Sequence, residues 1–382
     1  MKPNLIVIYL TMFICLVWND TNAWAAPNIS AQSAVVIEKE SGRILYEKNA
    51  QKEMPMASTT KIMTALLALE EGNLEDKITI SAAAAGVEGS SMYLQEGETF
   101  LLKELLYGLM LSSGNDAAVA IAEHLGGTDA FVQKMNEKAS QLKAVHTHFA
   151  NPNGLPDDTH YSTALDMANI TAYALNHPVF SEITSTQTYQ ISGEGKAMSR
   201  TLVNHNKLLK LCEGCLGVKT GFTKAAGRCL VSAVCRNNMT LICVTLNAPD
   251  DWNDHCSLYN FLFDTYHMET IVQSGRSLGT IPILESDTAA LTAASAEDFC
   301  YPLRSGEQCI TSLTLTPDLI APVSSGTDCG NISVSLNGKE LASLPLKVIG
   351  SAEARPALKK IQYHLYETLS LFYQKWLTLL GA

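Results

Sequence analysis

Apolar and polar positions along the chain fall into three regimes. From about residue 29 to 265, short β-prone runs alternate with helical ones. Ala34 to Ile37 and Arg43 to Tyr46 read as strands around Ser41-Gly42, a hairpin signal. Ser58 to Glu70 carries Ile62, Ala65, Leu66 and Leu69 at helical spacing, and Leu102, Leu105, Leu106 and Leu109 mark a second helix. Leu216 to Thr223, Cys229 to Cys235 and Thr240 to Leu246 read as consecutive strands, with Asn237-Asn238 as a turn. Strands at both ends with helices between them predict an α+β fold, one antiparallel sheet flanked by helices and built from both ends of the region.

The pattern then becomes all-β from 266 to 350. Ile332, Val334 and Leu336 alternate with Ser333, Ser335 and Asn337, Asn337-Gly338 turns the chain, and Leu344, Leu346 and Val348 alternate on the return. A small β-sandwich is expected, serving as spacer or docking platform. The last regime, 351 to 382, is an amphipathic helix. Leu358, Ile361, Leu365, Leu369, Phe372, Trp376 and Leu379 form one stripe, with Lys359, Lys360 and Lys375 off it. A Trp and lysines flanking such a stripe suit a membrane-surface anchor, and packing against the β-domain or a second copy is the alternative.

At the other end, Lys2, the apolar run Leu5 to Val17 and Ala23-Trp24-Ala25 have the grammar of a secretory signal peptide, residues 1 to 25. The mature catalytic region is then 26 to 265, and the protein is expected outside the cell, at the outer face of the cytoplasmic membrane. No other stretch is apolar for long enough to suggest a transmembrane helix. A formal charge of −11 argues against a nucleic-acid partner. Of ten cysteines, Cys15 leaves with the leader. Cys212-Glu213-Gly214-Cys215 is the close pair, read as a local disulfide or two free thiols because no second ligand pair stands at zinc spacing.

Candidate chemistry lies in three short motifs: Ser58-Thr59-Thr60-Lys61, Ser113-Gly114-Asn115 and Lys219-Thr220-Gly221. Three residues apart on a helix, Ser58 and Lys61 share a face, so a lysine of lowered pKa can take the serine proton. Burial and a second ammonium, Lys219, could lower it. The helix start at Ser58 directs backbone N–H groups at a developing oxyanion, with Phe222 supplying a second N–H from its strand. Ser113 is placed as proton relay to the leaving amine, and Asn115 as a holder of the substrate amide. Lys219 and Thr220 suit a terminal carboxylate, and Gly221 lets substrate backbone lie on the strand. Alone, each motif is weak: Ser58 could be a simple N-cap, and Ser113-Gly114-Asn115 is good turn chemistry. Together, in this order on suitable elements, they specify acyl transfer beside a free C-terminus, with no metal or cofactor.

On these residues the chain resembles the low-molecular-mass penicillin-binding proteins that act as serine D-alanyl-D-alanine carboxypeptidases. The resemblance extends through Pro55 to Thr64, Ser90 to Leu94, Leu111 to Ala118, Asn151 to Leu155, Ser162 to Asp166 and Gly217 to Thr223. It implies a penicillin-binding/serine β-lactamase-like fold followed by a β-domain and an anchor helix. It also implies peptidoglycan stem peptides as substrate, an acyl-enzyme on Ser58, Lys61 as proton acceptor, Ser113 as relay, Lys219 as carboxylate receptor and inhibition by β-lactam antibiotics. In two places the chain departs from the pattern. Asn247-Ala248-Pro249 stands where some members have a Gly-Gly-Arg turn, and the Cys212-Cys215 pair is not a general feature. A serine β-lactamase is one alternative, although Asn151 to Asp166 offers Asp157, Asp158 and Asp166 but no Glu to activate water. A catalytically silent wall-binding protein is the other.

Overall fold

The computed structural model describes residues 26–192 and 198–379. The expected leader, 1–25, lies outside the described residues.

Two of the strands that form the main sheet are β1 (Ser33–Glu38) and β2 (Ile44–Lys48), and they come from the start of the region. The other three, β3 (Cys215–Thr223), β4 (Gly227–Arg236) and β5 (Met239–Leu246), come from its end. Their order is β2-β1-β5-β4-β3, antiparallel throughout. All six residues of β1 are buried, so this strand is covered on both faces. Val35 and Ile37 pack into one core and Ala34 and Val36 into another, as period-two side chains must.

The larger core holds α1 (Lys61–Glu71), α2 (Leu102–Leu111), α3 (Asn115–His124) and α4 (Ala164–Ala174). In α1 every residue from Lys61 to Ala68 is buried, so the helix runs through the core rather than along the surface. The opposite face of the sheet is covered by α5 (Asp251–Thr265), through Leu258, Tyr259 and Leu262.

Strand Tyr266–Val272 follows α5 directly and pairs with Phe299–Arg304. A six-stranded sheet follows, with strands Asp328–Leu336 and Lys339–Ile349 at its centre. Ile332, Val334, Leu346 and Val348 form its core, so the alternation legible in the sequence is a burial pattern. Asn337 and Gly338 both adopt positive φ (52° and 80°), which matches the twist of a tight hairpin. Arg43, from the β1–β2 hairpin, reaches this domain. Its guanidinium pairs with Glu307 at 2.7 Å and lies over the rings of Tyr266 and Tyr301 at 5.1 and 5.2 Å.

The C-terminal helix α6 spans Ala357–Leu379, and its start is tied down by Lys359 on Asp287, with Arg355 just before it on the same carboxylate. Ile361, Leu365, Leu369, Phe372 and Trp376 of the stripe are exposed, while the side chains of Leu358 and Leu379 lie outside the described set. Among the described residues, no helix is long and apolar enough to cross a membrane.

Candidate active site

The first motif does not open an α-helix at Ser58 as its spacing suggests. Ala57–Thr60 is a 3₁₀ turn, and α1 begins at Lys61. Two local features tighten this turn. Ala57 has a left-handed φ of 49°, and the hydroxyls of Thr59 and Thr60 bond back to the carbonyls of Met56 and Ala57 at 2.7 and 2.8 Å. In 3₁₀ geometry residues i and i+3 eclipse, which stacks Lys61 on Ser58 more directly than an α-turn would. Lys61 Nζ lies 2.9 Å from Ser58 Oγ.

Lys61 is completely buried and has two further partners. It donates to Asn115 Oδ1 at 2.7 Å and to the Asn153 carbonyl at 2.6 Å. Its pKa is driven well below the usual lysine value, first by burial and then by the ammonium of Lys219, with Asp116 opposing. The partner set suits a neutral amine. Two partners only accept, so they take its two N–H bonds, and the third, the Ser58 hydroxyl, can donate to the lone pair.

The second motif is held by strained and buried backbone. Ser113 has φ 59°, and Asn115 opens α3. Asp116 accepts from Ser91 Oγ and from the backbone N–H groups of Met92 and Leu94 at 2.6 to 3.1 Å, which clamps the Ser90–Leu94 segment onto the motif. Asn115 was expected to hold a substrate amide. Its oxygen accepts from Lys61, and one of its two amide N–H bonds goes to the Glu88 carbonyl at 2.7 Å, which leaves the second N–H for a substrate group. Asn115 therefore also positions the lysine.

The third motif lies on β3, the last strand of the sheet, whose outer side has no strand partner among the described residues. Gly221 is where β3 meets the nucleophile. A Cβ there would stand 3.0 Å from Ser58 N and 3.2 Å from Thr59 N. The room left by the missing side chain is filled by the nucleophile's own turn, where substrate backbone was expected. Lys219 is buried on the α1 face of the strand and donates to the Thr220 carbonyl at 2.8 Å, and burial lowers its pKa to about 7. Thr220 and the exposed Phe222 face the cleft.

Sequence reasoning missed four contributors. Asn153 acts through its carbonyl, a group that every residue type carries. Gly154, at φ 86°, presses the same loop onto Ala57, where a Cβ would lie 2.0 Å from the carbonyl oxygen. His160 supports the turn from below. Its Nδ1 accepts from Ala150 N–H at 2.9 Å, so Nε2 carries the proton and donates to Thr60 Oγ1 at 2.7 Å. Burial lowers its pKa to about 4.

Ser58, Ser113, Thr220, Gly221, Phe222 and Arg228 line an open cleft of about 570 Å³. Arg228 is the other contributor the sequence concealed. It stands opposite Phe222 in the β3–β4 ladder, bonds Asp251 Oδ1 through Nε (3.0 Å) and Nη2 (2.8 Å), and lies 5.6 Å over the Trp252 ring. Its side chain is 41% exposed, so a fixed cation faces the opening. The turn Asn247-Ala248-Pro249 carries no cation, and Arg228 supplies one from the neighbouring strand.

Comparison with known proteins agrees with this layout. Residues 20–250 match the D-alanyl-D-alanine carboxypeptidase family, and residues 266–353 match the C-terminal domain of penicillin-binding protein 5. The chain is 33% identical to D-alanyl-D-alanine carboxypeptidase DacF of Bacillus subtilis over 83% of its length and 84% of the relative's. It is 31% identical to DacC of Escherichia coli over 86% of each. The structure of penicillin-binding protein 5 from Haemophilus influenzae superposes with a TM-score of 0.72 at 30% identity, covering 86% of this chain and 98% of that one.

Proposed function

Because the chain belongs to the D-alanyl-D-alanine carboxypeptidase family, we infer that it is a serine peptidase removing the terminal D-alanine from peptidoglycan stem peptides. The observation that carries this reading is the three-partner set of Lys61 around the Ser58 hydroxyl.

Neutral Lys61 accepts the Ser58 proton as Oγ attacks the carbonyl of the penultimate residue. Negative charge then develops on the carbonyl oxygen, where the N–H groups of Ser58 and Phe222 are the donors we assign to it. Collapse expels the amine of the terminal D-alanine. That amine needs a proton, which Ser113 passes on from Lys61. Water then releases the shortened stem from Ser58. β-Lactams enter by the same acylation, which makes the protein penicillin-binding.

We assign recognition of the terminal carboxylate to Thr220 together with Lys219 and Arg228. The buried Lys219 contributes field, and Arg228 contributes a fixed, permanently charged donor at the opening. Arg228→Gln should raise KM for peptides ending in a free carboxylate about tenfold or more, since a charged hydrogen bond contributes roughly 1.5–3 kcal/mol. Amidated peptides should be unaffected, and equal loss on both would remove Arg228 from this role.

We further propose export and attachment to the outer face of the cytoplasmic membrane through α6. The exposed stripe Ile361, Leu365, Leu369, Phe372 and Trp376 supports this. The decisive experiment on activity is fluorescent-penicillin labelling with an assay for released D-alanine. Wild type should form a stable label and release D-alanine, and Ser58→Ala should do neither. Labelling of Ser58→Ala at the wild-type rate would place the nucleophile elsewhere.

A further inference from the structure

Four cysteines, Cys212, Cys215, Cys243 and Cys256, gather on the α5 face of the catalytic sheet, and two of them are in direct contact. Cys212, at the end of the short helix Leu208–Leu211, places Sγ 3.0 Å from Sγ of Cys256 in α5. That is about 1 Å beyond the covalent separation of about 2.05 Å. Cys215, its neighbour in the sequence motif, turns instead toward the Gly217 carbonyl at 3.4 Å. Gly214 sits between them with φ 77° and turns the chain into β3. The close pair in sequence is therefore not the close pair in space, and neither thiol touches the catalytic cleft.

We propose that Cys212 and Cys256 are a disulfide-forming site that ties the segment leading into the catalytic strand to α5. The two elements are opposite walls of one opening. Asn204, His205 and Lys207 line the cleft just before Cys212, and Asp251 and Trp252 line it one turn before Cys256. A bond here closes a loop of 44 residues that contains β3, β4 and β5. Loss of chain freedom in the unfolded state then stabilises the part of the sheet that carries Lys219-Thr220-Gly221.

The oxidant is a small-molecule or protein disulfide. Cys256 is partly exposed and Cys212 is buried, so attack starts at Cys256. Burial, and then the adjacent Cys256, push the Cys212 thiol up to about 12, which also leaves the first step to its partner. The Cys256 thiolate attacks one sulfur of the oxidant, forming a mixed disulfide and expelling the first thiolate. Cys212 then attacks the Cys256 sulfur and expels the second thiolate. The two cysteine protons end on the two released thiols, so the pair is oxidised and one external disulfide is reduced.

The test uses the full chain, reduced and then equilibrated with excess oxidised glutathione, alkylated under denaturing conditions and mapped by mass spectrometry. A peptide pair joined through Cys212 and Cys256, absent after dithiothreitol, is the expected result. A Cys212–Cys215 or Cys215–Cys256 link, or separate alkylation of Cys212 and Cys256 after saturating oxidant, overturns the proposal. A second measurement needs no assignment of peptides. Oxidised wild type should melt roughly 5 °C or more above reduced wild type. The Cys212→Ser/Cys256→Ser protein should show no such difference between the two treatments, while Cys215→Ser should keep it.

Discussion

Two buried polar clusters lie on opposite faces of the same sheet, and they follow different rules. On the α5 face, His255 meets Ser232 Oγ at 2.7 Å and Thr245 Oγ1 at 2.9 Å, and Tyr259 OH meets the same Ser232 oxygen at 2.7 Å. Burial holds His255 neutral, with a pKa of about 3, and each of these groups has a neutral partner. On the α1 face two lysines are buried, and each is pressed toward its neutral form. The first cluster is complete and adds order to the core. The second is held short of electrostatic comfort, which is the condition that our reading of Lys61 as a base requires.

The comparison breaks first at Lys61. Lys61→Met should lower penicillin acylation by about a thousandfold or more, the upper range of what general-base loss removes. The melting temperature should fall by only a few degrees, because Asn115 Oδ1 and the Asn153 carbonyl lose their donor while the desolvation cost of a buried amine is removed. A cooperative loss of fold in this variant would mean that the lysine is structural. The reverse is expected on the other face. His255→Leu orphans the Thr245 hydroxyl and should cost about 1–3 kcal/mol in denaturant unfolding. Acylation per folded molecule should be unchanged, and a parallel drop in acylation would join the two clusters.

Lys219→Gln tests the repulsion between the lysines. Removing the second ammonium raises the pKa of Lys61, so the acid limb of the acylation pH profile should move to higher pH. An unmoved limb would confine Lys219 to the substrate. Smallest is a pH effect on stability. His160 and His255 are both depressed, to about 4 and about 3, so the unfolded chain binds more protons below the ordinary histidine value near 6.5. Their contribution is full above about pH 6.5 and declines as pH falls through 4 toward 3. The melting temperature should drop from about pH 6.5 down toward 3, more steeply above about 4, where both rings are protonated only in the unfolded chain, than below it, and His255→Leu should flatten it. A flat wild-type profile would show that neither ring is held neutral by the fold.

Much of this was legible in the chain because it is local or periodic. The i, i+3 spacing of Ser58 and Lys61, the strand around Lys219 and the three β-runs after residue 214 all survive in the structure. What escaped depends on register or on backbone atoms. Arg228 becomes part of the cleft only once β4 is paired with β3 so that it stands opposite Phe222. Asn153 acts through a carbonyl, and the role of Gly221 is set by an approach from Ser58, more than 160 residues earlier. Cys212 looked paired with Cys215 because they are neighbours in sequence, and only the placement of α5 brings Cys256 closer. Ala57 with positive φ has no signature at all, since alanine seldom adopts it.

The Arg43 clasp has a mechanical consequence. The catalytic domain and the β-domain are joined covalently at Thr265–Tyr266, and a single covalent joint is a swivel. Arg43, gripped between Tyr266 and Tyr301 and paired with Glu307, adds a second attachment from β1–β2 at the opposite side of the sheet from the catalytic strand. Two attachments resist torsion where one does not. A sideways load on the β-domain is therefore carried into the central strands as a whole, and the catalytic edge, three strands from β1, is the part of the sheet farthest from where that load enters.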